Sequence, residues 1–250
     1  MKIRTIILLC TAAVAMLWAC GSKTPDNAQE TDAENNTVSA EGDMTIYGLA
    51  CDGTNDTIII YLPTPYDGSD PDTLNILEAT RRHRIFGQPR IGYALAIVKN
   101  AQDSTVADMV IATDALYGQW CFQVYPTLRH RADMEDTRPQ HQPDSIREML
   151  ATPAEYMVDF KENHLMHTRS TIQRELTSDE EAPVEYPAMK RYSEWALYNG
   201  HLLLTETAVD SLGETYVASI DTVDFKELTT DTLVLRFNDG TRGYYRPKEQ

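Results

Sequence analysis

The histidines and clustered acids are the first residues to examine for catalytic or metal chemistry. His164 and His167 stand three residues apart, and on a predicted strand such residues point to opposite faces, so the pair would not share a metal. The acidic run 179–181 is typical of a solvated loop rather than of a calcium site. The chain contains no Gly-rich phosphate loop, no Gly-x-Ser-x-Gly elbow and no His-Glu-x-x-His motif. We therefore expect a protein that is not an enzyme and that needs no cofactor or metal.

The amino terminus has the pattern of an export signal. Lys2 and Arg4 precede an apolar run from Ile6 to Ala19, and a small residue precedes the expected cleavage point. The run is short for a membrane-spanning helix, which needs about 20 apolar residues. Residues 1–19 are therefore predicted to be a signal peptide.

The residues at the end of this run carry a more specific signal. Leu17, Ala19 and Cys20 resemble the lipobox of bacterial lipoproteins, with Trp18 bulkier than the usual second residue. The resemblance implies cleavage before Cys20, a diacylglycerol thioether on its sulfur, and acylation of the new amino terminus by a fatty acid such as palmitate. Each buried methylene contributes about 0.8 kcal/mol, so several chains anchor a protein stably. The implied location is the outer membrane or cell surface of a Gram-negative envelope. The alternative is an ordinary secretory signal with an incidental cysteine.

Two cysteines remain once the signal and the lipidated residue are set aside. An oxidising envelope compartment permits a disulfide between Cys51 and Cys121. Two buried free thiols are the alternative, because a free cysteine behaves as a small hydrophobic residue. The sequence leaves both open.

Composition favours a β protein and argues against one class of partner. Hydrophobic residues make up 42% of the chain, which is ordinary for a packed core, and Thr, Val, Ile and Tyr recur in short runs between turn residues. The formal charge of −16 would repel a phosphate backbone, so we expect no binding to nucleic acid.

The chain divides into a tether and two β regions. Residues 20–43 are acidic and carry no large apolar residue except Val38, which predicts a lipidated flexible tether. Residues 44–117 contain short strands such as Ile58–Leu62, and Leu74–Ala79 fits either a strand or a helix. This region is predicted to be a small β domain, either a barrel or a sandwich.

Residues 118–250 have the pattern of an antiparallel meander. Pro143–Leu150 has the capping and spacing of one short helix. Asn199-Gly200 is a strong hairpin signal, and a two-residue loop there puts Leu197 opposite Leu202 and Trp195 opposite Leu204. A meander of about eight strands tends to close on itself and remove its edges. The overall fold class is therefore all-β.

Both ends of this region resemble lipocalins. Gly118-Gln119-Trp120 matches the Gly-x-Trp signature of the first lipocalin strand, and in that family an arginine of the last strand packs over the tryptophan and closes the barrel base. Counting outward from a hairpin loop at Asp239-Gly240 puts Arg246 opposite Leu233 on an apolar face. A cation–π contact with Trp120 would contribute about 0.5–2 kcal/mol there. The resemblance is to the lipocalin-like domains of bacterial lipoproteins.

The resemblance implies a barrel that holds a small hydrophobic ligand or fills itself with side chains. The candidate lining residues share the inward face of the predicted strands: Tyr156, Val158, Phe160, Trp195, Leu197, Leu204, Leu235 and Phe237, together with Trp120. Two functions stay open. The first is a membrane-anchored lipoprotein that binds a small hydrophobic ligand, and the second is a structural or interaction subunit of an envelope complex with an unidentified protein partner.

Overall fold

The amino-terminal β region forms one strongly curved sheet in the computed structural model, which describes residues 42–129, 143–171 and 183–247. The elements are β1 (Thr45–Ala50), β2 (Ile58–Pro63), β3 (Asp72–Asn75), α1 (Leu77–Arg81), β4 (Ile85–Phe86), β5 (Ala94–Lys99), β6 (Ala107–Ala112) and a 3-10 turn (Thr113–Ala115). The strands of the sheet run in the order β3-β2-β1-β5-β6-β4. All neighbours are antiparallel except β4 and β6, which are parallel.

The curvature brings the far ends of this sheet together. Asn75, at the end of β3, forms a parallel bridge with Val106, immediately before β6. The enclosed face holds its own core cluster, which includes Ile59, Leu74 and Ile97. The region was predicted to be a small barrel or a sandwich, and it is one sheet that almost closes on itself. The segment that fitted either a strand or a helix divides between β3 and α1.

The carboxy-terminal region forms a nearly closed eight-stranded antiparallel barrel. The barrel strands are β7 (Gly118–Val124), β9 (Ala154–Phe160), β10 (Met166–Ser170), β12 (Tyr192–Tyr198), β13 (His201–Val209), β14 (Thr215–Leu228), β15 (Thr232–Phe237) and β16 (Gly240–Tyr245). Their order in the sheet is β10-β9-β7-β16-β15-β14-β13-β12. A bridge between Leu165, just before β10, and Glu194 on β12 links the two edges of this sheet. The short pair β8 (Thr127–Leu128) and β11 (Val184–Glu185) and the predicted helix, α2 (Asp144–Ala151), lie outside it.

The first hairpin has the predicted register and the second does not. Leu197 faces Leu202 and Trp195 faces Leu204 across the turn at Asn199-Gly200. In the β15–β16 hairpin, however, Phe237 pairs with Gly240, so the turn is Asn238-Asp239 rather than Asp239-Gly240. Leu233 consequently faces Tyr244. The predicted pairing of Arg246 with Leu233 is wrong by two residues, and the backbone N–H of Arg246 instead donates to the carbonyl of Asp231 at 3.1 Å.

The two sheets meet at residue 118, where the amino-terminal sheet gives way to the barrel, and they share one core. A single cluster of buried side chains joins Ala96, Met109 and Ile111 of the first sheet to the barrel interior. The Phe86 and Phe225 rings lie 5.5 Å apart between centroids. The backbone N–H of Gly87 donates to the carbonyl of Leu228 at 2.9 Å. The first sheet therefore covers the end of the barrel that holds the Asn199-Gly200 turn.

Candidate functional site

The covered end of the barrel, which we call the base, is closed by Trp120 and Arg246. The guanidinium carbon of Arg246 lies 3.8 Å from the centroid of the Trp120 ring, so the predicted contact is present. The indole N–H of Trp120 donates to the carbonyl of Leu116 at 2.8 Å. Arg246 donates to the carbonyls of Ala115 and Gln119 at 2.8 and 3.2 Å. Burial lowers the pKa of Arg246, and the nearby Asp159 opposes that shift.

Gly118 is required by this arrangement for two physical reasons. Its φ is +95°, in the region that side chains disfavour. A Cβ at this position would also lie 3.0 Å from the Nη1 atom of Arg246. In the Gly-x-Trp pattern, the glycine therefore leaves room for the Arg246 side chain and the tryptophan provides the ring on which that side chain packs.

Most of the predicted lining residues belong to the packed interior. Trp195, Leu204 and Leu235 are each about 1% exposed and lie in the shared core cluster. Phe160 packs edge-on against Trp195 with ring centroids 5.9 Å apart. Six predicted lining residues are core residues outside the cavity described next: Trp120, Phe160, Trp195, Leu197, Leu204 and Leu235.

The opposite end of the barrel, which we call the mouth, holds a cavity of about 630 Å³. It lies at the end that carries the Asn238-Asp239 turn. Three of the predicted lining residues do line it: Tyr156, Val158 and Phe237. The other apolar and aromatic lining residues were not predicted: Phe122, Val124, Pro187, Ala188, Met189, Tyr192 and Tyr244.

One side of the mouth carries a hydrogen-bonded group of three polar side chains. Lys190 donates to the Asp221 carboxylate at 2.7 and 2.9 Å. The Tyr192 hydroxyl donates to the same carboxylate. Burial alone would raise the pKa of Asp221, but the hydrogen bonds from Lys190 and Tyr192 outweigh it and lower that pKa. Burial also raises the pKa of Tyr192, and its bond to Asp221 adds to the shift.

The other side of the mouth carries a second ion pair. Arg242 donates to Asp239 at 2.5 Å, and its guanidinium carbon lies 4.3 Å from the centroid of the Phe237 ring. Tyr244 is buried beneath this pair. Burial raises the pKa of Tyr244 to about 12, against the opposing effect of Arg242. The mouth thus combines an apolar wall with a polar rim, which is the usual construction of a small-molecule site.

The alternation of side chains along a strand could have identified two residues of the mouth that were not predicted, Arg242 and Tyr244. Arg242, Tyr244 and Arg246 are spaced two residues apart, so they share one face of the last strand. If Arg246 points into the barrel, Arg242 and Tyr244 therefore point inward as well. Tyr192 could not be found in this way. A bulge lies between Tyr192 and Glu194, and simple alternation from Trp195 would have placed Ser193 inward instead.

The remaining predicted sites have different outcomes. Cys51, which directly follows β1, and Cys121, which lies on β7, are free thiols, so the disulfide that the sequence left open is absent. His164 lies in the turn before β10 and not on a strand, and its ring packs 4.9 Å from that of Trp195. Cys20, the signal peptide and nearly all of the tether lie outside the described residues.

The β13–β14 hairpin extends beyond the mouth. The paired residues Thr207–Val209 and Thr215–Val217 have no neighbouring strand on either side within the described ranges. Its large apolar side chains are more than half exposed: Val209, Leu212, Tyr216, Val217 and Ile220. Single exposed apolar residues are ordinary on a protein surface, but this one hairpin carries five of them.

No family model, curated protein or solved structure matches the chain. Within the described ranges, the histidine, cysteine and acidic side chains form no group of three or more that could hold a metal. The same ranges contain no helix with the length and apolar character that crossing a bilayer requires.

Proposed function

We propose that this protein is a non-enzymatic, membrane-anchored envelope lipoprotein whose lipocalin-like barrel binds one small hydrophobic ligand in the mouth. The observation that carries the proposal is the cavity of about 630 Å³ with its largely aromatic and aliphatic wall. Ligand pockets typically span about 300–1,000 Å³ and combine such a wall with a few polar groups. The packed base supports the proposal, because the same barrel is filled at that end.

The anchor is supported by the sequence pattern around Cys20. A lipid on this residue would hold the barrel at the outer membrane or cell surface, where a hydrophobic ligand passes between bilayer and protein. Cys20→Ala removes the acceptor sulfur, and Cys10→Ala is the matched control inside the signal peptide. We expect the Cys20 variant to leave the membrane fraction and the Cys10 variant to stay there. Equal retention of both variants would contradict lipid anchoring at this position.

Ligand binding is tested by native mass spectrometry of the full protein after gentle extraction. The expected spectrum contains a species heavier than the covalently lipidated polypeptide by one small apolar molecule, which dissociates on mild activation. A spectrum that contains only the lipidated polypeptide, before and after incubation with a lipid extract, would contradict the proposal.

The exposed β13–β14 hairpin favours the second candidate function, an interaction subunit of an envelope complex. Its outward apolar group would bind an extended segment of a partner protein through backbone hydrogen bonds and side-chain pockets. Ile220→Lys changes this surface, and Thr241→Lys places the same charge at an exposed position on β16. A stoichiometric cross-linked partner that is lost only from the Ile220 variant would support this function. No such partner, or one retained by both variants, would contradict it.

A further inference from the structure

The charges at the mouth balance each other. Four of the residues that line the cavity in the described part of the chain are charged, and they form two pairs. Lys190 pairs with Asp221, and Arg242 pairs with Asp239. Neither cation is left with an unmatched charge, and neither carboxylate is left without a cation.

This balance penalises a charged ligand head. An anionic head would approach two cations that already bind carboxylates, and it would also lie near those carboxylates. A cationic head would meet the reverse arrangement. Because removing a charge from water without a net opposite charge nearby is expensive, a charged head gains little electrostatic attraction here to offset its dehydration.

A neutral head can use the hydrogen-bonding groups that the ion pairs leave available. An ammonium group has three N–H donors and a guanidinium group has five, more than the contacts with Asp221 and Asp239 occupy. The Tyr192 hydroxyl donates its proton to Asp221 and keeps its oxygen free to accept a hydrogen bond from a ligand. Behind the rim, Phe122, Val158 and Phe237 provide an apolar wall.

We propose that the mouth selects an electrically neutral amphipath, one with a hydroxyl or carbonyl head and an apolar body, over fatty anions and fatty amines of the same length. This inference rests on the proposed function, because it assigns the ligand class of the same cavity.

The test uses three probes that share one hydrocarbon chain: oleyl alcohol, oleate and oleylamine. Each displaces a neutral environment-sensitive dye, Nile red, from the full-length protein below the concentration at which the probe forms micelles. We expect oleyl alcohol to bind about tenfold more tightly than either charged probe, the ratio that corresponds to one poorly compensated charge.

Two variants sharpen the test. Asp239→Asn removes the partner of Arg242 and should raise the affinity for oleate selectively, narrowing the gap to oleyl alcohol by several-fold. Glu148→Gln makes the same charge change on α2, at an exposed side chain that does not line the cavity, and should leave the order of the three probes unchanged.

The possible results of these titrations distinguish a failure of the head-group selectivity from a failure of ligand binding. Oleate or oleylamine binding as tightly as oleyl alcohol would overturn the selectivity while leaving ligand binding in place. An unchanged oleate affinity in the Asp239 variant would overturn the role of the ion pair. Failure of Nile red and all three probes to bind would overturn ligand binding itself, and the selectivity with it.

Discussion

The base and the mouth of the barrel are built from the same strands and yet have opposite interiors. On β7, Trp120 is fully buried at the base, whereas Phe122, two residues later on the same face, is only partly buried and lines the cavity. At the base a second sheet covers the opening and a guanidinium covers the indole. At the mouth, ion pairs form the rim of an open cavity. An inward apolar pattern therefore specifies a barrel, while the residues at its ends decide which end is solid.

The largest expected difference between the two ends is in stability. Trp120→Ala should lower the free energy of unfolding by about 3–5 kcal/mol, because it leaves a cavity in a packed core. Phe122→Ala should lower it by about half as much, because Phe122 already borders open space. Urea unfolding followed by circular dichroism measures both values. Equal losses would show that the mouth is packed as tightly as the base.

The second prediction separates backbone strain from crowding at the base. Gly118→Ala adds a Cβ at a φ of +95° and within 3.0 Å of the Arg246 side chain. Gly213→Ala adds one at a φ of +86° with nothing inside 4 Å. In the Gly213 variant the free energy of unfolding should fall only by the cost of a side chain at a positive φ, about 1–2 kcal/mol. In the Gly118 variant it should fall by more, because the Cβ also crowds Arg246. Equal losses, measured by thermal unfolding, would contradict a role for Gly118 in seating the arginine.

A smaller effect is expected from the chemistry of the closing cation. Arg246→Lys keeps the charge but removes the planar group that covers Trp120 and reaches two carbonyls, which should lower stability by about 1–2 kcal/mol. Arg242→Lys, at the mouth, should change stability by about 0.5 kcal/mol or less, since its ion pair is largely exposed. Chemical denaturation of the two variants measures both changes in the free energy of unfolding. A larger loss of stability in the Arg242 variant than in the Arg246 variant would contradict this prediction.

The smallest effect appears only at high pH and reports on the mouth. The pKa of Tyr244 is raised in the folded protein from its ordinary value near 10 to about 12. The neutral phenol therefore stabilises the fold fully below pH 10, and this contribution is lost as the pH rises toward 12. Tyr244→Phe should reduce the loss of stability above pH 10. An identical alkaline profile for wild type and variant would show that Tyr244 does not titrate abnormally.

Strand periodicity explains what the sequence could predict at the base. The assumed turn at Asp239-Gly240 was wrong by one residue, which shifts the pairing of the two strands by two residues, and a shift of two returns every side chain to the same face. Arg246 therefore still meets Trp120 although its predicted partner across the hairpin was wrong. The pairing beside the Asn199-Gly200 turn was predicted correctly because a two-residue loop fixes the register there.

The mouth was less predictable because its residues come from irregular positions. Met189 and Lys190 lie between β11 and β12, where no periodicity assigns a direction to a side chain. Tyr192 faces inward because of a bulge that the sequence does not announce. The packed positions Phe160 and Leu235 carry the same apolar signal as the lining residue Val158, so residue type alone could not separate core from cavity.

The proposed ligand site of the barrel is its mouth. Val124 lines the cavity, whereas Gln123, its neighbour on β7, is exposed and does not line it. A Nile red titration compares wild type with Val124→Trp and Gln123→Trp, which add the same bulk to opposite faces of one strand. We expect one dye per wild-type and Gln123-variant molecule, and at least about tenfold weaker binding to the Val124 variant, equivalent to about 1.4 kcal/mol. Equal binding by all three proteins, or no binding by any of them, would contradict ligand binding in the mouth.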